Sequence, residues 1–366
     1  MNIRLNNLLQ DSLDIAFTNA RLMWLALVQP ICMSYDRFHP VYGTQSTPQT
    51  ILIILIFLFL CLPLRIEAGP GTTNFPMIRV GAGARPMGMA GSFVALADDS
   101  NANLWNPAGL TQFNWPELSL THMIYWQGIT EETLVGTYPI TEDLRIGTGI
   151  QLINYGDIPK TVEKADGSFD VGGSTGSFNP KDYLVGISTA YRLFDWMRIG
   201  VTGKYISSTI DDDKLDTFMG DLGLLFKFMS NPLPGMNQLT FGFSYQNYGS
   251  KARDYQMPQI IRAGLAAQWQ IIWPRDLVTS LEIDYPMDTR NTKTLVGAEY
   301  WIADVVAIRS GYKQGYDIGN LYFGAGVQLV YSGTGYQIDY AFEPATVFGS
   351  THRITLTLRF SDEYTE

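Results

Sequence analysis

The feature of this sequence that most constrains its fold is the alternation of apolar and polar residues between residues 116 and 360. In LRIGTGIQLINY (144–155), the even-numbered residues from Leu144 to Leu152 form an apolar face interrupted by Thr148, whereas Arg145 and Gln151 lie on the opposite face. A period of two indicates β-strands, because successive side chains of a strand point to opposite faces. We predict fourteen strands, at about 116–126, 130–140, 144–155, 182–194, 197–210, 216–228, 237–249, 258–271, 276–287, 292–303, 305–315, 320–332, 336–345 and 351–360.

The length of these segments points to a membrane. They have about 10–14 residues each, whereas a tilted strand crosses a bilayer with about 9–11 and a strand of a soluble protein has about 5–6. Short connections such as DW (195–196) alternate with longer ones such as GDIPKTVEKADGSFDVGGSTGSFNPK (156–181). An even strand number and unequal loops are typical of outer-membrane barrels. We predict an all-β fold, a 14-stranded antiparallel transmembrane β-barrel over residues 116–360; a soluble sandwich or propeller is the alternative.

The amino-terminal region carries the longest unbroken apolar run, ILIILIFLFLCLPL (51–64). This run is shorter than the roughly 20 residues of a spanning helix. It suits the apolar core of a secretory signal, and Ala68 provides a small residue before a cleavage site. We therefore interpret 51–68 as the signal peptide's apolar and cleavage regions, with an uncleaved anchor as the alternative. Residues 1–50 form an upstream extension of unknown role, and residues 361–366 form a carboxy-terminal tail.

Composition argues against several classes of function. The net charge of −10 disfavours a nucleic-acid partner, whose phosphates require Lys and Arg. Both cysteines, Cys32 and Cys61, lie at or before the signal peptide, so cleavage would leave no thiol for a metal, disulfide or nucleophile. His122 and His352 lie within predicted strands. We expect no catalytic residue, metal or cofactor. The acidic run 211–213 is interpreted as a solvated outer turn, with divalent-cation or lipopolysaccharide bridging as the alternative.

The segment 69–115, between the signal and the first strand, is predicted to plug the barrel. A barrel of this size is too wide for its own side chains to fill, and GAGARPMGMAGSFVALADDS (81–100) is rich in small residues that pack closely. FVALADD (93–99) is expected to form a short helix. NPAGL (106–110) is expected to form one helical turn, with Asn106 as its cap, Pro107 at its first position and Gly109 near its end. We therefore interpret 69–115 as a luminal hatch.

Two groups of residues are candidates for function. The hatch or gating group is Gly83, Pro86, Gly88, Asp98, Asp99, Asn101, Asn103, Trp105, Asn106, Pro107 and Gly109. The charged residues expected to face the lumen are Arg145, Lys204, Arg262, Glu282, Asp284, Glu299, Arg309, Asp339, Glu343, Arg353 and Arg359. The second group has two interpretations that the sequence leaves open: a salt-bridged wall that holds the plug, or the polar lining of a conduit.

The hatch sequence also resembles a known family. GARPMGMAGSFVALADDSNANLWNPAGL (83–110) is similar to the hatch of the PorV/PorQ family, within the FadL-type outer-membrane protein superfamily, and EYWIADVVAIRSGYK (299–313) is similar to a strand pair of the same group. The resemblance covers about residues 76–360. It implies a 14-stranded barrel with its amino-terminal segment inside, in the outer membrane of a Gram-negative-type envelope. FadL relatives pass hydrophobic small molecules, and PorV relatives take folded cargo proteins at the cell surface in type IX secretion.

These observations lead to a functional expectation. The chain is predicted to be a non-enzymatic, hatch-gated conduit or binding barrel for hydrophobic small molecules, which enter from outside when residues 83–110 shift. The alternative is an interaction protein that docks secreted cargo or a secretion-system partner, and a purely structural envelope protein is a third possibility. Expected partners are outer-membrane lipids, barrel-assembly machinery, and a hydrophobic ligand or a secreted cargo protein.

Overall fold

The computed structural model describes residues 75–164, 166–171, 176–228, 235–253, 255–272, 275–315, 320–344 and 349–360. The upstream extension, the signal peptide, residues 69–74 of the predicted hatch and the carboxy-terminal tail lie outside the described residues. No helix among those described is both long enough and apolar enough to cross a membrane.

Fourteen antiparallel strands close into a barrel, in the order β1-β18-β17-β16-β15-β14-β13-β12-β11-β10-β9-β8-β3-β2. The strands in chain order are β1 Glu117–Ile124, β2 Thr130–Pro139, β3 Leu144–Asn154, β4 Ile158–Pro159, β5 Thr161–Glu163, β6 Phe169–Val171, β7 Ser177–Phe178, β8 Lys181–Phe194, β9 Met197–Ile210, β10 Asp213–Phe228, β11 Met236–Gly249, β12 Ile260–Ile272, β13 Arg275–Pro286, β14 Lys293–Ile302, β15 Val306–Gln314, β16 Leu321–Tyr331, β17 Thr334–Glu343 and β18 Thr351–Phe360.

The predicted 14-stranded antiparallel barrel is confirmed. Each predicted segment corresponds to one wall strand, and the largest displacement of a strand end is at β10, which begins at Asp213 rather than at Asp216. The connection after β3, predicted as an open loop, contains two small antiparallel pairs, β4 with β7 and β5 with β6. These strands have two or three residues each, which is too short to produce a recognisable alternation.

The two faces of the wall have opposite environments. In β1, buried and exposed residues alternate throughout. Leu118 and Leu120 point outward and are exposed, whereas Ser119 and Thr121 point inward and are buried. An apolar exterior around a polar interior is the arrangement expected of a barrel whose outside faces lipid.

Residues 75–115, the luminal segment, pack inside the barrel. They contain a 3₁₀ turn at Pro76–Arg79, helix α1 at Ala84–Gly88, helix α2 at Ala102–Trp105 and a 3₁₀ turn at Pro107–Gln112. As predicted, Asn106 caps the last turn, its side chain accepting a hydrogen bond from the Ala108 amide at 3.2 Å.

The short helix predicted over FVALADD (93–99) is wrong, because this stretch forms turns. The amides of Phe93 and Val94 each donate to the Glu282 carboxylate on β13, at 2.7 Å. The carbonyl of Val94 accepts from the Asn106 side chain at 2.8 Å. A helix would pair the Val94 carbonyl with the Asp98 amide, whereas here this carbonyl is bound by the Asn106 side chain of a neighbouring turn.

Wall glycines allow the luminal segment to lie directly on the strands. A Cβ atom at Gly200 of β9 would stand 2.4 Å from the Ala108 amide nitrogen, and one at Gly242 of β11 would stand 2.2 Å from the Val94 carbonyl oxygen. Both distances are shorter than any real Cβ contact. A side chain at either wall position would therefore prevent the luminal segment from packing against the strands.

We predict that Gly200→Val destabilises the barrel by about 1–3 kcal/mol, the usual effect of overpacking a filled interior. Gly203→Val, on the same strand, is the matched control, since a Cβ there has no heavy atom within 4 Å. Thermal unfolding in detergent, followed by the heat-dependent shift in gel mobility, would compare them. Equal unfolding temperatures for the two variants would contradict the close seating of the luminal segment on β9.

Candidate functional site

The centre of the site is Arg85 of helix α1, which joins the luminal segment to the wall. Its Nε and Nη2 atoms donate to the two carboxylate oxygens of Glu299 on β14, both at 2.9 Å. Its Nη1 atom donates to Asp98 at 2.6 Å and to Asp99 at 2.8 Å. One guanidinium thus ties α1 both to the turn before α2 and to the wall, in the two-pronged geometry that favours Arg over Lys.

The network continues along the inner wall. The Nε atom of Arg309 on β15 lies 2.5 Å from the Glu299 carboxylate, and its Nη1 atom lies 2.8 Å from Asp339 on β17. Gln337 donates to the other Asp339 oxygen at 2.6 Å. Burying an unpaired charge is costly. Each charged group of this network is therefore stabilised by the opposite charges that it contacts.

A second attachment lies at Glu117 of β1. One of its carboxylate oxygens accepts from the Ser100 amide at 2.7 Å, and the other accepts from Arg359 of β18 at 2.9 Å. The Ser100 hydroxyl lies 2.8 Å from the Ser119 hydroxyl, which itself lies 2.8 Å from Thr357. The turn before α2 is therefore bonded across the seam at which the first and last strands close the barrel.

The predicted hatch residues are brought together inside the barrel. Gly83 has a φ of 85°, and a Cβ there would meet the Asn101 side chain at 2.3 Å. Gly88 lies against Gly324 of β16, and Gly109 lies against the Ala97 backbone. The Trp105 indole donates to the Ala82 carbonyl at 3.1 Å. Asn103 donates to the carbonyls of Ser100 and Gly136, at 2.9 and 3.2 Å, and Pro86 is buried in α1.

The predicted lumen-facing charged residues lie on the inner wall, and all except Arg359 are buried. Several bind luminal backbone or aromatic groups rather than lining open space. Arg145 donates to the Phe113 carbonyl at 3.2 Å. Arg262 lies 4.5 Å above the Trp105 ring, with Asp284 3.9 Å from its Nε atom.

The remaining predicted charges pair within the wall. Lys204 lies 2.5 Å from Asp221 and 3.1 Å from the Asn247 side-chain oxygen. Arg353 lies 3.5 Å from Glu343. Of the two open interpretations of these residues, a salt-bridged wall matches the contacts of the described residues more closely than a conduit lining does.

Sequence reasoning missed three charged members of this arrangement: Arg85, Glu117 and Asp221. Arg85 lies inside the recognised hatch sequence, and Arg79 and Arg85 are the cations of residues 75–115. A cation in a segment destined for a closed interior needs a carboxylate partner, and that requirement is a signal that could have identified Arg85.

A cleft of about 460 Å³ opens where the long connection after β3 meets the ends of β9, β10 and the connection after β11. Its apolar lining is formed by Phe75, Tyr155, Ile158, Phe178, Pro180, Ile210, Leu215 and Tyr255. Phe75, the first described residue of the luminal segment, also belongs to the apolar cluster beneath the cleft, with Leu184, Ile206 and Met219. The cleft is thus floored by one end of the segment that fills the lumen.

The acidic run 211–213 contributes ion pairs at this cleft, and Asp213 and Arg253 belong to its lining. Asp211 lies 2.7 Å from Lys160, and Asp213 pairs with Arg253. The hydrogen bond to Asp211 raises the pKa of Lys160 above its usual value. Among the described residues, no group of three or more His, Cys, Asp or Glu side chains is arranged to hold a metal ion.

Deeper in the barrel the described cavities are small. One of about 20 Å³ lies between Trp105, Lys204 and Arg262, about enough for a single water molecule. Another, of about 90 Å³, lies at the opposite end, next to Asp98 and Lys227.

Comparison with known proteins identifies the fold. No family model and no curated protein matches the sequence. A structure of the toluene transporter TodX of Pseudomonas putida has a TM-score of 0.54 and 11% identity, covering 77% of this chain and 98% of TodX. A second TodX structure has a TM-score of 0.50 and 11% identity, covering 76% and 97%. A Pseudomonas aeruginosa FadL homologue has a TM-score of 0.46 and 12% identity, covering 81% and 100%. The chain shares the barrel fold of TodX.

We predict that Arg85→Met lowers the free energy of unfolding by about 3–5 kcal/mol, because it removes the cation bound to the buried Asp99 and one of the two cations bound to Glu299. Arg192→Met is the matched control. Arg192 forms a single surface pair with Asp143 at 2.6 Å, and such pairs contribute about 0–1 kcal/mol. Urea unfolding of refolded protein in lipid vesicles would measure both. A loss for Arg85→Met no larger than that of the control would show that the network does not hold the luminal segment.

Proposed function

We propose that this chain is an outer-membrane barrel of the PorV/PorQ family that binds hydrophobic small molecules at its outer cleft and admits them when the luminal segment acts as a hatch. The observation that carries the proposal is the apolar cleft of about 460 Å³ with Phe75 in its lining. Phe75 connects the place where a ligand would bind to the segment that closes the lumen. The structurally similar protein TodX is a toluene transporter, which supports a hydrophobic small molecule as the ligand.

The apolar exterior supports the membrane location. Exposed side chains on the outer faces of the strands include Leu120, Ile187, Val201, Leu265 and Ile308. A continuous apolar exterior of this kind is stabilised by hydrocarbon. The longest described connection, which contains β4–β7, lies at the end with the cleft, so this end is assigned to the cell exterior.

Entry requires movement of the luminal segment. A molecule held in the cleft contacts Phe75, and the adjacent turn Pro76–Arg79 is tethered through Arg79, which donates to Asp288 at 2.8 Å and to the Pro258 carbonyl at 3.3 Å. Displacing Phe75 pulls on this tether and then on α1. Of the carboxylates bound to Arg85, Glu299 belongs to the wall and must give up this contact before residues 83–110 can shift. The Arg85–Glu299 ion pair therefore contributes to the resistance of the hatch.

A second candidate function, docking of secreted cargo or a secretion-system partner, is favoured by the β5–β6 pair. Val162 and Phe169 project into solvent there, with exposures of 49% and 65%. Exposed apolar side chains on an outer loop are a common feature of protein-binding surfaces.

We predict that Phe178→Ser weakens binding of toluene about tenfold or more, because it removes the half-buried ring that the ligand would cover, and full burial of such a ring contributes about 1.5–3 kcal/mol. Phe169→Ser, in the same connection but outside the cleft, is the matched control and should change affinity less than twofold. Equilibrium binding to purified barrels, followed by tryptophan fluorescence, would measure both. Equal weakening of toluene binding by the two substitutions would show that toluene binds outside the cleft. Loss of protein docking in Phe169→Ser but not in Phe178→Ser would favour the second function.

We predict that a disulfide between Ser100→Cys and Ser119→Cys blocks passage. The two hydroxyl oxygens lie 2.8 Å apart, so sulfur atoms at these positions can reach the roughly 2 Å bonding distance. Uptake of labelled toluene by cells should be abolished under oxidising conditions and restored by a reductant, whereas the Ser119→Cys single variant should respond to neither. Undiminished uptake with the disulfide formed would show that the hatch does not move.

A further inference from the structure

The outward residues of β17, β18, β1 and β2, which we call the seam face, form an apolar surface with an embedded polar pair. Leu118, Leu120 and Ile124 of β1 and Ile354 and Leu356 of β18 are all exposed on this face. They flank the seam where β1 pairs with β18, Leu120 opposite Leu356. Under the proposed function this surface faces lipid.

The polar pair is His122 and Glu132, which oppose one another on β1 and β2. The His122 Nδ1 atom lies 2.5 Å from a Glu132 carboxylate oxygen, and each side chain is 46% exposed. The stacked rings of Tyr125 and Trp126 lie beyond one end of the pair, and exposed Tyr138 lies towards the other end of β2. The pair is therefore inside the apolar belt, between its aromatic borders.

A polar pair in this position is costly against hydrocarbon. Ionisable side chains on the lipid face of a barrel destabilise it, increasingly so towards the middle of the bilayer, and those within membranes usually face protein or water. The position of His122 and Glu132 therefore indicates that another polar surface covers them.

The polar atoms of His122 and Glu132 that take no part in their mutual hydrogen bond could pair with the same atoms of a second copy. Their mutual bond uses the Nδ1 atom of His122 and one carboxylate oxygen of Glu132, so the Nε2 atom and the second carboxylate oxygen are the atoms that a partner can contact. A two-fold axis parallel to the barrel axis would reverse the order of the pair, so that His122 of one copy faces Glu132 of the other. Each Nε2–H group then donates to the free oxygen opposite it, and two charge-assisted hydrogen bonds close the contact.

We propose that the seam face binds a second copy of this chain, forming a two-fold dimer centred on His122 and Glu132. This inference rests on the proposed membrane location. A recess of about 430 Å³ on the same side of the barrel, between Phe323, Ala325, Tyr340 and Phe342, offers space for a side chain of the second copy. Tyr340, at its edge, is bonded to the other described histidine, His352, at 2.7 Å, so the polar groups of this surface extend along it.

Cysteine cross-linking in native membranes tests the dimer. Leu120→Cys places a thiol next to the proposed axis, and Val201→Cys on β9 is the matched control, since the two parent side chains are 49% and 46% exposed. With a short bis-maleimide reagent, Leu120→Cys should give a product of twice the monomer mass, at least tenfold more than Val201→Cys. Adding Glu132→Leu to Leu120→Cys should lower that product at least fivefold.

Several outcomes would overturn the proposal. Equal cross-linking of Leu120→Cys and Val201→Cys, or a product whose mass matches another polypeptide, excludes a second copy on the seam face. Leu356→Cys, across the seam, repeats the test if the first variant fails to show the heat-dependent mobility of a folded barrel. If the outer-membrane fraction contains the protein only as a monomer, the dimer is overturned and the proposed function stands. If the protein is absent from the outer-membrane fraction, both are overturned.

Discussion

The structure depends on one constraint: a barrel of this width has an interior that must be filled, and its filling must satisfy the charges that line it. The luminal segment meets both demands. Met87, Phe93 and Trp105 supply apolar volume, and Arg85 supplies the cation that Glu299 needs. An apolar plug would leave Glu299 with Arg309 as its remaining ion-pair partner among the described residues, and an open lumen would lose the packing. Wall and plug therefore stabilise each other, and neither arrangement is complete without the other.

The sequence predicts the wall well because its signal is local. Alternation over ten or more residues reports which face of a strand meets lipid, and β3 and β18 follow the predicted pattern and bounds closely. The predicted turn at Asn106 and Pro107 also depends on adjacent residues. Features decided by distant residues were not predictable in this way. At the position of the helix expected over 93–99, the Val94 carbonyl is bound by Asn106 instead of by a helical amide, and the wall partner of Arg85 lies at residue 299.

The difference between local and distant determinants also explains which parts of the long connection and of the candidate site were predictable. Strands β4–β7 owe their pairing to the closure of a long connection, and two or three residues carry no period that indicates it. The inward direction of the charged wall residues follows from alternation, whereas their choice of partner depends on how strands far apart in the chain are staggered. The wall glycines show the same limit. Gly200 points inward and Gly203 points outward on β9, as alternation predicts, but the close contact of Gly200 with Ala108 depends on where the luminal segment lies.

A plug held by ion pairs differs physically from one held by apolar packing alone. A buried ion pair gains little over a well-packed apolar contact, yet breaking it by removing one partner is costly. We infer that the Arg85 network fixes the register of the luminal segment more than it adds stability. Arg85 contacts three carboxylates, from Asp98, Asp99 and Glu299, so it can release the wall carboxylate while keeping partners within its own segment. That unequal division of contacts allows the segment to leave the wall without exposing an unpaired cation, which is the property a movable hatch requires.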